Sequence, residues 1–259
     1  MRVHLHTLCW NDRRMLDYFF RHYEPWVDRF YIFDDHSTDG TLEYLQARSD
    51  VVVEPLRRID PDSWVLSAKH IYDTDWMRSI GEADWVVITN IDEHLHHPAM
   101  RRYLAVLKDR GVTVVPALGY QMITESFPPP ESVLWRDHTM GAPWRNMSKV
   151  GIFRPDCIKA VDFAPGRHHV RLKGEVVFPE RDEVLNLHYK YLGIAETHGR
   201  HATQAPRLGK VDRAQNWGHK YRWLFEELTA DFAAVKAAAV DVSKIDHQQS
   251  HTERRWWRS

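Results

Sequence analysis

The first ninety residues alternate between short apolar runs and amphipathic segments, and this alternation restricts the chain to a few folds. The amphipathic segments have the 3.6-residue periodicity of helices, and the apolar runs are rich in β-branched and aromatic residues. One run, WVVITN at 85–90, lacks polar alternation, as expected of a central parallel strand covered on both faces. The sequence therefore predicts an α/β fold with a mostly parallel, Rossmann-like sheet flanked by helices. The predicted strands are 3–9, 30–33, 51–54 and 85–90, and the predicted helices are 12–23, 41–48 and 63–80.

The composition excludes several classes of protein. The formal net charge of -1 lacks the positive excess of a nucleic-acid-binding protein. Cys9 and Cys157 lie far apart and outside any CxxC pattern, which argues against a disulfide scaffold or a thiolate metal site and favours a reducing compartment. Neither a signal peptide nor a run of about 18 apolar residues is present. We therefore expect a cytoplasmic protein with neither a membrane span nor a nucleic-acid partner.

Two acidic side chains follow the second predicted strand, in the segment FDDHSTDGT. In open α/β sheets, ligands bind beyond the carboxyl ends of the strands, and Asp34 and Asp35 fall there. Turn chemistry offers another explanation for part of the segment, because residues 37–39 suit helix capping and Gly40 eases the turn. Capping does not require Asp34 or Asp35, so both interpretations stay open.

A second acidic segment, ITNIDEHL, follows the fourth predicted strand at the same edge of the sheet. Alternation along an extended chain points Asn90 and Asp92 to one side and Glu93 to the other. The side-chain oxygens of Asn90 and Asp92 suit a hard cation such as Mg²⁺ or Mn²⁺, which also binds substrate phosphates. The alternative is an ordinary solvated loop at the end of a strand.

Together these motifs carry a resemblance to a known family. The order of WND, FYIFDDHSTDGT and DWVVITNIDEHL is similar to that in family-2-like glycosyltransferases of the GT-A fold, especially a small branch with a D-x-D-E-F signature. The segments MSKVGIFRP and NLHYKYL, with His168 and His169 between them, follow in the order typical of that branch. The resemblance covers roughly residues 1–200 and implies a GT-A-like domain at 1–205. Residues 206–259 would form a helical C-terminal extension packed on it.

The resemblance implies transfer of a sugar from a nucleoside-diphosphate sugar to a hydroxyl group, with metal assistance and inversion at the sugar carbon. The leaving diphosphate gains negative charge, and a divalent cation, Mn²⁺ or Mg²⁺, would offset it. The implied metal ligands are Asp92 and His188. The residues implied to contact the nucleotide sugar are Thr7, Asn11, Asp12, Asp34, Asp35, Asn90 and Lys149.

Three residues depart from the pattern of that branch. Asn90 stands where an Asp is usual, which removes one formal negative charge from the site. His94 stands where Phe is common, and His36 replaces a small residue. Because HLHH (94–97) has no carboxylate partner at helical spacing, we expect its histidines to lie at the surface or behind the metal ligands.

The acceptor side is predicted from a long loop after the strand at 112–123. This loop, TESFPPPESVLWRDHTMGAPWRN, is longer than most connections, as lids and binding loops are. An inverting transfer needs a general base, and Glu125 is the first candidate because it directly follows the strand, with Glu93 and Asp137 as the others. Aromatic and imidazole side chains are predicted to face a glycan, lipid-linked or small-molecule acceptor, with packing against the core as the alternative. They are Trp135, Trp144, His168 and His169.

The C-terminal part has a different character. Segment 219–240 is rich in helix formers with apolar residues near one face, so it predicts a helix packed on the domain or on a second subunit. The final HTERRWWRS suits peripheral contact with the inner face of a membrane, near a lipid-linked acceptor, and a frayed tail is the alternative. Its basic and aromatic residues are Arg254, Arg255, Arg258, Trp256 and Trp257. The oligomeric state stays open.

Other functions share parts of this pattern. A dinucleotide-binding or methyltransferase-like enzyme needs a Gly-rich turn after the first strand, and HTLCWNDRR contains no glycine. Asn90 leaves open a degenerate protein that binds a nucleotide sugar without turnover. A metal-dependent hydrolase that uses the same acidic edge is a further alternative.

Overall fold

The computed structural model describes residues 1–253 and 255–258. Its first half alternates strands and helices in the predicted order. The elements are β1 (Val3–Cys9), α1 (Arg13–Tyr23), β2 (Arg29–Asp34), α2 (Thr41–Gln46), β3 (Val51–Pro55), α3 (Trp64–Thr74), β4 (Trp85–Ile88), β5 (Glu93–His96) and α4 (Met100–Asp109). The predicted strands and helices are confirmed in this half, and β5 is a strand that the sequence analysis did not predict.

The second half adds further strands and a helical C-terminal part. Its elements are β6 (Val114–Thr124), α5 (Leu134–Asp137), β7 (Met140–Pro143), β8 (Lys149–Phe153), β9 (Ile158–Phe163), β10 (Val170–Gly174), β11 (Val184–Leu192), α6 (Ile194–Gln204), α7 (Lys210–Ala214), α8 (Phe225–Ala238), β12 (Val240–Asp241) and α9 (His247–Ser250). Strands β9 and β10 pair with each other outside the main sheet.

The main sheet has the strand order β12-β7-β6-β8-β4-β1-β2-β3. Strands β3, β2, β1 and β4 are parallel to one another. Strand β8 joins β4 in the antiparallel sense, and β6 pairs with both β8 and β7 in that sense. Because β1, β2 and β4 run in one direction, their carboxyl ends meet at one edge, which carries both acidic segments. The predicted α/β fold with flanking helices is confirmed.

Helix α1 shows why the apolar periodicity predicts this fold. Its apolar residues recur on one face, and Phe19 and Tyr23 on that face are completely buried. The Phe19 ring centroid lies 4.8 Å from that of Tyr23 and 6.1 Å from that of Phe30 on β2. Truncating such an aromatic ring to Ala typically costs about 3–5 kcal/mol. This face therefore fixes α1 on the sheet.

Strand β11 brings a distant part of the chain to the acidic edge. It runs parallel to β6 and antiparallel to β5, and His188 pairs with Glu93 in the antiparallel ladder. Because β5 begins directly after Asp92, this pairing sets His188 beside Asp92. Two residues far apart in sequence thus meet through backbone hydrogen bonding.

Helix α8 is shorter at its start than the sequence predicted. Residues 219–222 form a 3₁₀ turn, and α8 begins only at Phe225. The Glu227 carboxylate accepts a hydrogen bond from the Leu224 N–H at 2.8 Å, which caps the first helical turn. Leu224, which lies within the predicted helix but precedes α8, is exposed.

The C-terminal helices contact the rest of the chain at several places, among them a packing contact of α8 and a hydrogen-bonded contact of α7. Leu228 and Phe232 of α8 pack on Ile123 and Tyr191 of the sheet. In α7, the buried Asp212 carboxylate accepts hydrogen bonds at the start of α3, from the Ser63 hydroxyl (2.5 Å) and the Trp64 N–H (3.0 Å). The division into a domain at 1–205 and an extension at 206–259 stays a prediction.

The last residues fold back onto the loop before β11. The buried Asp182 carboxylate accepts hydrogen bonds from the Trp257 indole at 3.0 Å and from Arg255 at 2.8 Å, and it also pairs with Arg258. Arg254, from the same predicted cluster, lies outside the described residues. These tail side chains are therefore engaged within the protein.

In the part of the chain that the structure describes, no helix combines the length and the apolar character needed to cross a bilayer.

Candidate active site

A cleft opens at the edge where the parallel strands end. Three of the predicted site residues line it: Asp12 after β1, and Asn90 and Asp92 after β4. Aromatic side chains, among them Trp10 and Tyr221, form further parts of its wall. The cleft therefore offers carboxylate oxygens and flat apolar surfaces together.

Asp92 and His188 form a close pair at this cleft. The His188 Nε2 lies 3.4 Å from an Asp92 carboxylate oxygen, and the His188 Nδ1 lies 2.7 Å from the Gln121 side-chain oxygen. Burial raises the pKa of Asp92, but a positive charge on the adjacent His188 ring outweighs that effect and holds this pKa below its usual value. Asp92 is thus an ionised carboxylate at neutral pH.

The contacts of Gln121 indicate that the Nδ1 atom of the His188 ring carries a hydrogen. The Gln121 amide nitrogen donates to the carbonyls of Met122 at 3.0 Å and His188 at 3.2 Å, so its oxygen faces His188 Nδ1. Nδ1 must then carry a hydrogen. In a neutral ring, the Nε2 lone pair and the Asp92 carboxylate face each other, which is favourable only when a cation lies between them.

This pair fits a divalent cation. The Gln121 contact is of the kind that orients metal-binding imidazoles. Among residues 1–253 and 255–258, no three His, Cys, Asp or Glu side chains converge as a metal-binding group. A cation held by Asp92 and His188 would therefore take its other ligands from phosphate oxygens and water, as Mg²⁺ and Mn²⁺ do.

Asn90 lies beside this pair with both ends of its amide engaged. Its oxygen accepts a hydrogen bond from the Tyr72 hydroxyl at 2.6 Å, and its nitrogen donates to Glu93 at 2.8 Å. An amide oxygen has a second lone pair, so Asn90 still offers one weak ligand position.

Glu93 does not face the cleft. Its carboxylate is 2% exposed and is held by Lys149 at 2.8 Å and by Arg167 at 2.6 Å, and both cations are buried as well. Burial alone would raise the pKa of Glu93, but the two cations hold it well below its usual range. Burial also lowers the pKa of Lys149 to about 8. In contrast to the sequence predictions, Glu93 is not free to act as a base, and the Lys149 ammonium is not free to bind a phosphate.

Asp34 and Asn11 tie two loops together. The Asp34 carboxylate accepts a hydrogen bond from the Ser37 N–H at 2.9 Å, and the Asn11 side-chain oxygen accepts one from the Thr38 N–H at 2.7 Å. Asn11 has a φ of 47°, a left-handed conformation that Asn tolerates better than most residues. Turn chemistry thus explains these side chains, and their contact with a nucleotide stays a prediction.

Thr7 and Asp35 do not form part of the cleft wall. Thr7 is completely buried, and its hydroxyl donates to the next carbonyl of the chain at 3.3 Å. Asp35 is buried in an ion pair with Arg58 at 3.0 Å and in another with Arg207. The Arg207 guanidinium lies 3.7 Å from the centroid of the Trp10 ring. Asp35 therefore acts on the cleft by positioning Arg207.

Helix α6 and its surroundings supply a cationic wall that the sequence analysis missed. Arg200 donates to the carbonyls of Trp10 at 2.7 Å and Asn11 at 2.8 Å, and to the Asp12 carboxylate at 2.6 Å. Burial raises the pKa of Asp12 despite this facing guanidinium. The cations that line the cleft are Arg14, Lys190, Arg200 and Arg207.

The other two predicted bases lie outside the cleft wall. Glu125 is 75% exposed, and its carboxylate lies 2.5 Å from the Lys236 ammonium of α8. Asp137 pairs with Arg136 at 2.8 Å and accepts the N–H of Val133 at 2.7 Å, which closes α5. The loop after β6 reaches the cleft through Phe127, but the carboxylates of Glu125 and Asp137 are paired elsewhere.

The predicted acceptor tryptophans occupy different regions. The Trp144 ring centroid lies 5.7 Å from that of His188, at the edge of the site. Trp135 instead stacks on His96, with ring centroids 4.8 Å apart, away from the cleft. Only Trp144 of this pair is close to Asp92 and His188.

The predicted acceptor histidines line a separate cavity beside the C-terminal residues. The His168 Nδ1 lies 2.6 Å from the Asn146 carbonyl oxygen. The His169 ring centroid lies 4.5 Å from that of Trp256. The structure therefore groups these histidines with the tail and not with the cleft.

No protein-family model matches the chain. The chain is 28% identical over 236 residues to a glycosyltransferase family 92 protein of Oryza sativa subsp. japonica. The aligned region covers 83% of this chain and 39% of that protein. It thus spans about two fifths of the length of the curated relative. Among solved structures, it is similar to S. aureus TarS 1-349 in complex with UDP-GlcNAc (TM-score 0.41, 11% identity, 90% of this chain and 72% of that one). It is also similar to glucosyl-3-phosphoglycerate synthase from Mycobacterium tuberculosis in complex with Mn²⁺, UDP and glucosyl-3-phosphoglycerate (TM-score 0.32, 18% identity, 46% of this chain and 44% of that one). The sequence similarity to the family 92 protein confirms the similarity to glycosyltransferases that the motifs indicated.

Proposed function

We propose that this protein transfers a sugar from a nucleoside-diphosphate sugar to an acceptor hydroxyl in the cleft beside Asp92. The observation that carries the proposal is the meeting of an oriented carboxylate–imidazole pair with a cationic wall in one cleft. A nucleoside diphosphate needs both features, because its phosphates bind cations and its leaving oxygen gains charge during transfer. The sequence similarity to a glycosyltransferase supports the same chemistry.

The nucleotide part of the donor would lie along the segment after β1. The Trp10 ring offers a flat surface for stacking, and Asp12 offers an acceptor for ribose hydroxyls. Arg200 ties this segment to α6 and so keeps both groups at the cleft. The diphosphate would then point toward Asp92, where the strand β4 ends.

We propose that Asp92 and His188 hold a divalent cation, Mn²⁺ or Mg²⁺. Such a cation would offset the charge that develops on the leaving diphosphate. Gln121 contributes by fixing the His188 ring. Tyr72 and Glu93 contribute by fixing the neighbouring Asn90 amide.

The acceptor would approach from the side of Trp144, whose ring can stack on a sugar. Inversion needs a general base, and Glu125 could serve only after leaving Lys236 and turning into the cleft. The inverting outcome therefore rests on the family resemblance alone.

We further propose a cytoplasmic enzyme that acts on a glycan or lipid-linked acceptor, as in polysaccharide biosynthesis. Peripheral membrane contact through the tail has little support, because Trp257 and Arg255 are engaged with Asp182.

Calorimetry with a panel of nucleoside diphosphates and nucleotide sugars, with and without Mn²⁺, tests the proposal. We expect binding that Mn²⁺ strengthens, and we expect Asp92→Ala to remove the effect of Mn²⁺ because it removes the ionised ligand. Asp109→Ala, an exposed substitution at the end of α4, is the matched control and should bind as the wild type does. Absence of binding to every nucleotide, with or without Mn²⁺, would overturn the proposal.

A degenerate binding protein is the second candidate, because the Asn90 oxygen is already engaged by Tyr72. Product analysis with the bound donor separates the candidates. Release of the nucleoside diphosphate that depends on an added sugar acceptor indicates a transferase, and release with water alone indicates a hydrolase. Binding without release indicates the degenerate protein.

A further inference from the structure

Lys190 differs from the other cations of the cleft wall. Among the described residues, no carboxylate lies within salt-bridge distance of its ammonium, which sits 4.2 Å from the centroid of the Tyr221 ring. Each of the others has an acidic partner: Arg14 pairs with Glu196, Arg200 with Asp12 and Arg207 with Asp35. Within the part of the chain that the structure describes, Lys190 therefore has no ion-pair partner at its half-buried position, although its charge acts on the Asp92 carboxylate in the same cleft.

The neighbouring residues that the structure describes do not offset this positive charge with a carboxylate partner. His201 is buried, and neither of its ring nitrogens has a hydrogen-bond partner in the described part of the chain. Burial, together with the charges of Lys190 and Lys220, lowers the pKa of His201 to about 3. Lys220 has its own partner, Asp231, at 2.9 Å. A cation in a cleft without an ion-pair partner is available to an anionic ligand group, with which it can form charged hydrogen bonds.

Lys190 is also well placed for the proposed chemistry. It lies two residues after His188 on β11 and lines the same cleft as Asp92. Because Asn90 stands in place of an Asp, the segment after β4 offers a metal ion one carboxylate, that of Asp92, rather than two. A fixed ammonium beside a weaker metal site can supply part of the positive charge that a leaving diphosphate requires.

We propose that Lys190 binds the diphosphate of the donor and stabilises it as the leaving group, which reduces the need for a divalent cation. This inference rests on the proposed function. During transfer, the bond from the sugar carbon to the diphosphate oxygen breaks, and its electron pair goes to that oxygen. The acceptor oxygen forms the new bond to the carbon and gives its proton to a base or to water. Lys190 stays protonated and donates hydrogen bonds to the diphosphate oxygens.

Binding of inorganic pyrophosphate and UDP in EDTA tests the proposal without relying on turnover. Charged hydrogen bonds contribute enough that Lys190→Met should weaken binding about 10- to 100-fold. Lys190→Arg keeps the charge and should retain most of the affinity. Lys159→Met, at an exposed position on β9, is the matched control and should bind as the wild type does. Thermal unfolding of each variant reports whether it is folded, and Lys190→Arg carries the comparison with wild type if Lys190→Met is unstable.

The dependence on Mn²⁺ separates a leaving-group role from simple packing. With the donor found by calorimetry, Lys190→Met should lower kcat more in EDTA than in saturating Mn²⁺, because the metal ion substitutes for the lost charge. An equal loss under both conditions would contradict the reduced need for a cation.

The outcomes also separate this inference from the proposed function. A wild-type protein that binds neither pyrophosphate nor any nucleotide, in Mn²⁺ or in EDTA, overturns both. A wild-type protein that binds them while Lys190→Met binds equally well overturns only the role of Lys190.

Discussion

Asp92 and Glu93 are adjacent acidic residues with opposite environments. Asp92 is 34% exposed and opens into the cleft, whereas Glu93 is buried between Lys149 and Arg167. Asp92 belongs to a turn, closed by a hydrogen bond from the Glu93 N–H to the Asn90 carbonyl at 3.1 Å, whereas Glu93 is the first residue of β5. Asp92 is therefore the residue of the two to which we assign the proposed chemistry, and Glu93 holds together the structure behind it.

The buried cluster of Glu93 leads to a prediction about stability. Glu93→Gln preserves the shape of the side chain but leaves two buried cations without their counter-charge. We expect the free energy of unfolding in urea to fall by about 3–5 kcal/mol, the usual cost of breaking a buried ion pair. Glu180→Gln, at an exposed position, is the control and should stay within about 0.5 kcal/mol of wild type. Equal stability of Glu93→Gln and wild type would show that the cluster does not stabilise the fold.

At the scale of elements, α1 and β5 meet through two stacked imidazoles. The rings of His22 and His94 lie 4.6 Å apart with an interplanar angle of 18°. His22 donates through Nε2 to the Leu95 carbonyl at 2.9 Å, and His94 is completely buried. Burial lowers the pKa of His22 to about 3. Burial and the neighbouring His22 ring lower the pKa of His94 well below its usual value. Both rings are thus neutral parts of the core. The HLHH histidines were expected at the surface or behind the metal ligands, and His94 is not at the surface.

These histidines predict how stability depends on pH. Their folded-state pKa values lie below the unfolded value of about 6.5, so the unfolded chain binds protons first as the pH falls. Stability is therefore complete above about pH 6.5 and is lost as the pH falls toward the folded-state pKa values. We expect His94→Phe to reduce this loss by up to about 1.4 kcal/mol per pH unit, measured by urea unfolding between pH 7 and pH 4.5. His70→Gln, a substitution at an exposed position, is the control and should follow the wild-type curve. If the His94→Phe and wild-type curves coincide, His94 does not contribute to the pH dependence of stability.

The elements of the first half were predictable because each one carries its own periodicity. The aromatic face of α1 and the apolar run of β4 need no distant partner to be recognised. Strand β5 was not predicted, because its four residues EHLH become a strand only by pairing with β11. The start of α8 was also misplaced, because a side-chain cap at Glu227 decides it locally.

The site was predictable only in part, for a related reason. Motif order suggested Asp92 and His188, and the structure brings these two residues together. Arg200 had no local signal, because its contact with Trp10 joins residues 190 positions apart. Glu125 was favoured from its place after a strand, but sequence order does not specify the direction in which a loop leaves the sheet.

At the scale of the whole molecule, Asp182 anchors the C-terminal residues. Asp182→Ala removes the acceptor for Trp257, Arg255 and Arg258 together and leaves these groups without their partner. We expect trypsin to cut the C-terminal segment of this variant at least about 10-fold faster than that of wild type, because losing charged hydrogen bonds raises the population of the detached state. Mass spectrometry of timed digests measures the rate. Glu180→Ala, in the same loop, is the control, and unchanged cleavage of Asp182→Ala would mean that other contacts hold the tail.

The bridge from Arg200 to Trp10 and Asn11 also bears on the order in which the protein is made and folds. A nascent chain whose α6 has not yet emerged from the ribosome already contains Asp12 and Asp92. It still lacks the Arg200 guanidinium, which holds the segment after β1. Such a chain can assemble the parallel strands and still have no complete nucleotide site. If the proposed function holds, a nucleotide would therefore stabilise only the finished fold, by mass action on its last stage, and would not guide the early stages. Nucleotide affinity thereby reports that synthesis and folding have both reached the last quarter of the chain.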